Sequence, residues 1–135
     1  MPLGPGVNPD HLLAAVLHLA RGATLIAADQ PAAGVVNERI ALDPGVGFGK
    51  TVEQNFSLLA QQAALQLPGH PWLVGWSRKS SLGAVTGCAV EERLVPSVAA
   101  ALLSVERGAH VVRVHDVAAT VSALKVWQAA LRQSS

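Results

Sequence analysis

The chain has 135 residues, 50% of them hydrophobic and 14% charged, with a formal net charge of +1. That is enough apolar material for the core of one domain and excludes a disordered chain. The near-neutral balance excludes a general attraction to nucleic acid or to a membrane surface, so any anion must be held by locally gathered basic groups.

No apolar run reaches membrane-spanning length, and Met1 to Asn8 lacks the basic start and long apolar stretch of a signal peptide. A cytoplasmic protein is therefore expected. The single Cys88 cannot form an internal disulfide and reads as a buried or incidental thiol.

Leu3-Gly4-Pro5-Gly6 is too rich in turn formers to be an element. Asn8 can cap a helix with Pro9 in its first turn, and Leu12, Leu13, Val16, Leu17 and Ala20 continue an apolar face; Pro31 and Gly34 set its latest end. Residues 1–36 thus read as an irregular start and a helix, and 37–135 as the body of the domain.

A strand is expected from about Arg39 to Asp43. It ends in a carboxylate, a Pro44-Gly45 turn, glycines at 45, 47 and 49, and Lys50. Thr51 and Gln54 fit a capping box, which sets this lysine-bearing loop before a helix N-terminus, where free N–H groups attract anions. A nucleotide P-loop is excluded because Pro44 stands where its first glycine must be. The dinucleotide fingerprint fails as well, since the spacing is G-x-G-x-G. A glycine loop without a ligand is the alternative. The following helix is expected to carry Val52, Phe56, Leu59 and Ala63 on one face and to break at Pro68, Gly69 and Pro71.

Trp72 to Ser77 reads as a second strand, with Arg78-Lys79-Ser80-Ser81 at its end and a loop through Gly83 and Gly87. A helix is expected from about Glu91 to Arg107, with Leu94, Val98, Ala101, Leu102 and Val105 inward, Pro96 near its first turn and Gly108 as its C-cap. Val111 to His115 is a third strand. The last helix bears Val117, Val121, Leu124 and Leu131, with Asp116 as its cap.

Strand–helix units without hairpin signals are the grammar of a parallel α/β sheet with right-handed crossovers. In a doubly wound sheet and in a (β/α)8 barrel alike, ligands sit beyond the carboxyl ends of the strands. Asp43 and Lys50 lie at the first end, Arg78 and Lys79 at the second, Arg113 and His115 at the third. Basic groups from three loops imply an anion, phosphate or pyrophosphate. Strand alternation puts Arg113 and His115 on one side and Val112 and Val114 on the other. The alternatives are an ion pair of Arg113 with Asp43 or Asp116, a hydrogen-bonded core histidine for His115 and a solvated loop lysine for Lys79.

Leu42-Asp43-Pro44-Gly45-Val46-Gly47-Phe48-Gly49-Lys50, Gly75-Trp76-Ser77-Arg78-Lys79-Ser80, Glu92-Arg93-Leu94, and Gly108-Ala109-His110 with Arg113-Val114-His115-Asp116-Val117 resemble, in order and spacing, successive motifs of the dihydropteroate synthase family. The resemblance runs from about Asn37 to the C-terminus. It implies the C-terminal part of a (β/α)8 TIM barrel with three parallel strands, and hence a fragment of the full enzyme. It also implies the family's folate-synthesis reaction, in which 6-hydroxymethyl-7,8-dihydropterin pyrophosphate and p-aminobenzoate give 7,8-dihydropteroate and pyrophosphate. On that resemblance Asp43 takes the pterin, Gly75 is among the substrate-binding residues, and Lys79 contacts both pterin and aminobenzoate. Phe48 walls the aminobenzoate pocket, Ser80 lies near its carboxylate, and Arg113 and His115 hold pyrophosphate. Lys79, Arg113 and His115 are the expected catalytic residues. Mg2+ is the expected cofactor, with its protein ligand outside this chain, and a homodimer through the later helices is expected, with neither nucleic acid nor membrane as partner. A noncatalytic pterin- or pyrophosphate-binding remnant is the alternative, and a pterin-binding methyltransferase ranks last because its barrels lack the Ser-Arg-Lys-Ser and Arg-x-His-Asp-Val pairing.

Overall fold

A computed structural model of the chain describes residues 41–65 and 69–133. The expected first helix and the start of the first strand lie outside the described residues. In order, the elements are helix α1 (Val52–Leu65), strand β1 (Leu73–Val74), helix α2 (Ser80–Thr86), a 3-10 turn (Val90–Glu92), helix α3 (Leu94–Glu106), strand β2 (Val111–Val112) and helix α4 (Val117–Gln133).

The two strands are parallel, with Leu73 opposite Val111 and Val74 opposite Val112. Leu42 joins beside them through a single parallel bridge to Trp72, closed by Leu42 N–H donating to the Pro71 carbonyl and Leu73 N–H to the Leu42 carbonyl. Strand pairing is thus much shorter than the apolar runs suggest. Beyond Val74 and Val112 the chain leaves the ladder to form the loops that carry Arg78, Lys79, Arg113 and His115.

The core lies between these strands and the helices. Val46, Leu59, Val74, Trp76, Leu82, Ala100 and Ala109 form its main cluster, flanked by Phe56 and Val112, and Leu42, Trp72 and Leu65 form a smaller one. Phe56 meets Trp76 with ring centroids 5.0 Å apart. That separation suits a tilted aromatic pair.

The capping box is present in both directions. Gln54 N–H donates to Thr51 Oγ1 at 3.1 Å, and Thr51 N–H donates to Gln54 Oε1 at 2.9 Å. Helix faces depart from the expectation. In α1 the buried side chains are Asn55, Leu58, Leu59 and Gln62, whereas Ala63 is exposed. In α3 they are Ser97, Ala100, Ala101 and Ser104, and Leu94 is exposed. The apolar stripe placed the faces imperfectly because polar residues on the inner side are matched to buried backbone and hydroxyl partners. Gln62 Nε2, for example, donates to the Ser104 carbonyl at 2.9 Å.

The loop expected through Gly83 and Gly87 is instead helix α2. Gly87 ends it in the left-handed conformation, φ 76, with its N–H donating to the Gly83 carbonyl. Gly83 is there because the guanidinium of Arg93 lies where a Cβ would project. Gly108, φ 101, ends α3 as expected. Among the described residues, no helix is long and apolar enough to cross a membrane.

Candidate functional site

The loop after Leu42 is built from its own backbone. Asp43 Oδ1 accepts from Gly45 N–H at 2.8 Å, an Asx-type turn that closes the Pro44-Gly45 corner. Gly45, Gly47 and Gly49 all have positive φ, a conformation in which a side chain is strained. At Gly47 there is a further reason: a Cβ would stand 3.0 Å from Lys79 Cδ. The glycine therefore lets the lysine from the second strand end cross this loop.

Lys79 is the point where the loops meet. Its Nζ donates to the Val46 carbonyl and lies 4.9 Å from the centroid of the Phe48 ring, within range of a cation–π contact. Burial, then the Arg113 guanidinium, pull its pKa down to about 8; Asp43 opposes them and Lys50 adds to them. The alternative of a solvated loop lysine is not what is found: Lys79 is a partly desolvated amine held among charges.

Arg113 comes in from the end of β2. Its Nη1 is 3.5 Å from Asp43 Oδ2, with the carboxylate mostly covered and the guanidinium more than half exposed. The ion pair with Asp43 foreseen as an alternative is formed. Gly75 supports it from below, since a Cβ there would stand 2.7 Å from Arg113 Nη2. Gly75 thus admits the guanidinium to the strand end.

His115 is joined to the second strand end by Ser77. The Ser77 hydroxyl lies 2.7 Å from His115 Nδ1 and accepts the His115 backbone N–H at 3.2 Å. Nδ1 is thereby engaged and Nε2 is the ring nitrogen left for a ligand. Ser80 is exposed at the first position of α2, directly after Lys79.

Two basic residues serve differently from expectation. Lys50 Nζ donates to the carbonyls of Gly45 and Phe48, at 2.8 and 3.1 Å, bracing its own loop; burial lowers its pKa and Asp43 opposes this. Arg78 pairs with Asp116 at 3.3 Å. Asp116, expected as a helix cap, turns its carboxylate to Arg78, while its carbonyl accepts from Thr120 N–H and Oγ1.

The structure adds residues that the sequence pattern did not single out. Asn55 joins the glycine loop to α2. Arg78 has φ 60, costly for a non-glycine residue, and its backbone is held on both sides. Ser97 Oγ accepts its N–H at 2.9 Å, and Arg93 Nη1 donates to its carbonyl at 3.0 Å. The available signal was a polar residue inside an otherwise apolar helical arc, as Asn55 is before Leu58 and Leu59.

Asp43, after the Leu42 bridge, Lys79, after β1, and Arg113, after β2, therefore form one group of mixed charge, walled by Phe48 and floored by Gly75. It offers carboxylate acceptors to a planar N–H donor and cationic donors to an anion. Among the described residues there is no group of three or more His, Cys, Asp or Glu side chains able to hold a metal ion.

A family model described as "Pterin binding enzyme" matches residues 13–115. A dihydropteroate synthase of Neisseria meningitidis serogroup B is 47% identical over 133 residues, covering 96% of this chain and 46% of that protein. The crystal structure of Burkholderia cenocepacia dihydropteroate synthase superposes with a TM-score of 0.80 at 46% identity, covering 99% of this chain and 51% of the other. Dihydropteroate synthase from Xanthomonas albilineans in complex with 7,8-dihydropteroate gives 0.79 at 42% identity, covering 97% and 49%. The chain thus spans about half the length of the relatives it matches.

Proposed function

This chain belongs to the pterin binding enzyme family, and on that premise we propose that it carries the later half of a dihydropteroate synthase, a C-terminal TIM-barrel portion whose three strand ends bind the substrates. The reaction forms a C–N bond between the amino group of p-aminobenzoate and the exocyclic methylene of 6-hydroxymethyl-7,8-dihydropterin pyrophosphate. The C–O bond to pyrophosphate breaks, and the amine loses a proton. The single observation carrying the reading is the convergence of Asp43, Lys79 and Arg113 above Gly75.

Asp43 uses one of its roughly four acceptor positions on the Gly45 N–H and faces Arg113 as an ion pair, which leaves acceptors for the amino and ring N–H groups of a pterin. Arg113 is exposed enough to exchange part of its interaction with Asp43 for a pyrophosphate oxygen. Together with His115 it offsets charge that grows on the leaving group, the kind of preorganised stabilisation that lowers a barrier. The carbon left behind is a stabilised cation, so the arylamine needs little activation. Lys79 and the Phe48 ring flank the aminobenzoate, with Ser80 towards its carboxylate. Mg2+ remains an expectation from the resemblance. The described residues supply no carboxylate cluster for it, so no step is assigned to it. A cytoplasmic location and a homodimer through the later helices complete the proposal.

Calorimetric titration of the purified chain with a pterin, with and without pyrophosphate, tests the reading. Saturable pterin binding that Asp43→Asn weakens selectively, and pyrophosphate binding that Arg113→Ala and His115→Ala weaken, are the expected results. Unaltered binding in all three variants would refute the assignment.

A further inference from the structure

Asn55 is 1% exposed and lies on α1. Its Oδ1 accepts the Gly47 N–H at 2.9 Å, and its Nδ2 donates to Ser81 Oγ at 2.9 Å. The orientation of the amide is fixed by its partners, because a backbone N–H can only donate; the oxygen must face Gly47 and the nitrogen Ser81. Ser81 is itself 3% exposed and follows Lys79 by two residues at the start of α2. Lys79 returns to the glycine loop through the Val46 carbonyl and the Phe48 ring. A closed circuit results, running from the loop through Asn55 and Ser81 to the α2 backbone, then through Lys79 to the loop again.

We infer that Asn55 and Ser81 form a positioning strut which holds the Phe48 loop and the Lys79–Ser80 turn as one rigid unit, and so sets the separation of the two walls of the aminobenzoate pocket. The reasoning rests on location and chemistry together. Both side chains are buried, each contact crosses between elements, and the hydrogen bonds of the pair go to Gly47 and to one another, not to a side chain assigned to the pterin or pyrophosphate. A buried amide with both ends engaged has one low-energy pose, whereas an unpaired end would cost a full desolvation penalty. Cutting the strut therefore frees the loop against α2 without removing any contact atom. This inference rests on the functional reading above for the identity of the pocket, but not for the existence of the strut.

The test uses the full chain with Ser81→Ala and Asn55→Leu. Ser81→Ala breaks only the α2 side of the strut, so it keeps the proposal open to refutation even if Asn55→Leu fails to fold. In Ser81→Ala the Gly47 amide should stay protected from hydrogen exchange, and in Asn55→Leu that protection should be lost. In both, Lys79 should titrate above the value of about 8 as the loosened loop readmits water. With a pterin and pyrophosphate present, p-aminobenzoate should bind about tenfold more weakly, the factor that one buried hydrogen bond commonly carries, while pterin affinity stays within about twofold. Folded variants with the Lys79 titration and p-aminobenzoate affinity of the parent would overturn the strut. A parent chain that binds neither ligand would refute the functional reading instead, and the Lys79 titration and Gly47 exchange would still decide the strut.

Discussion

Helices α1 and α4 invert the usual sorting of side chains. α1 has 14 residues and buries four, two of them the polar Asn55 and Gln62. α4 is longer, at 17 residues, yet of these it buries Thr120 alone and leaves Val117, Val121, Val126 and Leu131 exposed. The difference lies in what each helix is packed against. α1 packs on α2 and α3 and has buried backbone and hydroxyl groups to match, whereas α4 packs mainly on α3. Polarity inside and apolarity outside are thus set by what each helix is packed against.

The comparison breaks first at Trp76, which is 2% exposed and packs on Phe56 of α1. Trp76→Ala should cost about 3–5 kcal/mol, the range for deleting a large buried aromatic side chain. Urea denaturation followed by circular dichroism measures it. A cost below about 1 kcal/mol would mean that α1 is not seated on the strands.

Gln62 is the next largest case. Its Nε2 serves the Ser104 carbonyl at 2.9 Å and the Arg107 carbonyl at 3.3 Å, both at the C-terminal end of α3. Gln62→Ala leaves those acceptors without this donor, and about 1–3 kcal/mol should be lost. Gln62→Glu sharpens the point, because it keeps size and removes the donor. Equal stability of the Glu variant and the parent would show that the amide contributes nothing through its hydrogen bonds.

Gln62, together with Asn55, also marks the limit of what the sequence discloses. The strand–helix alternation, the Thr51–Gln54 capping box and the Gly108 stop were legible because each follows from neighbours within a few positions. The gathering of Asp43, Lys79 and Arg113 was legible too, since each charge stands at or near the end of an apolar run. Asn55 and Gln62 were not, because Ser81 and Ser104, which they serve, lie 26 and 42 residues away, and a polar residue inside an apolar arc does not say what it is matched to. Helix α2 was read as a loop for a related reason. Gly83 weakens a helix on propensity, but here it makes room for Arg93, whose Nε also donates to the Cys88 carbonyl at 3.0 Å.

A smaller effect than either core substitution is expected at the site itself. Lys79 gives up its proton at about 8 when folded, against 10.5 for its ordinary value. Between these values the unfolded chain binds more protons at this group, so its contribution makes stability rise with pH across that window. Lys79→Met should flatten the rise relative to the parent, as read from denaturation midpoints between about pH 8 and 10. Arg113→Ala should move the Lys79 titration upward by removing a neighbouring cation, and Asp43→Asn should move it downward by removing the opposing carboxylate. Opposite signs would separate Lys79 from the Asp43–Arg113 group.

The smallest expected effect lies on α4. Val126 is 72% exposed, and an exposed position without special contacts changes stability by no more than about 0.5 kcal/mol on substitution. Val126→Ala should therefore be nearly silent in an isolated copy. The same substitution becomes informative if the later helices pair two copies, as proposed, because the side chain would then be covered and its truncation would carry a burial cost of about 1 kcal/mol or more. That cost would also grow with protein concentration, since a dimer's stability depends on it. Measured midpoints that are concentration-independent and unchanged by Val126→Ala, with a solution mass of one chain, would remove Val126 from any interface and leave the exposed apolar side of α4 as a feature of the single copy.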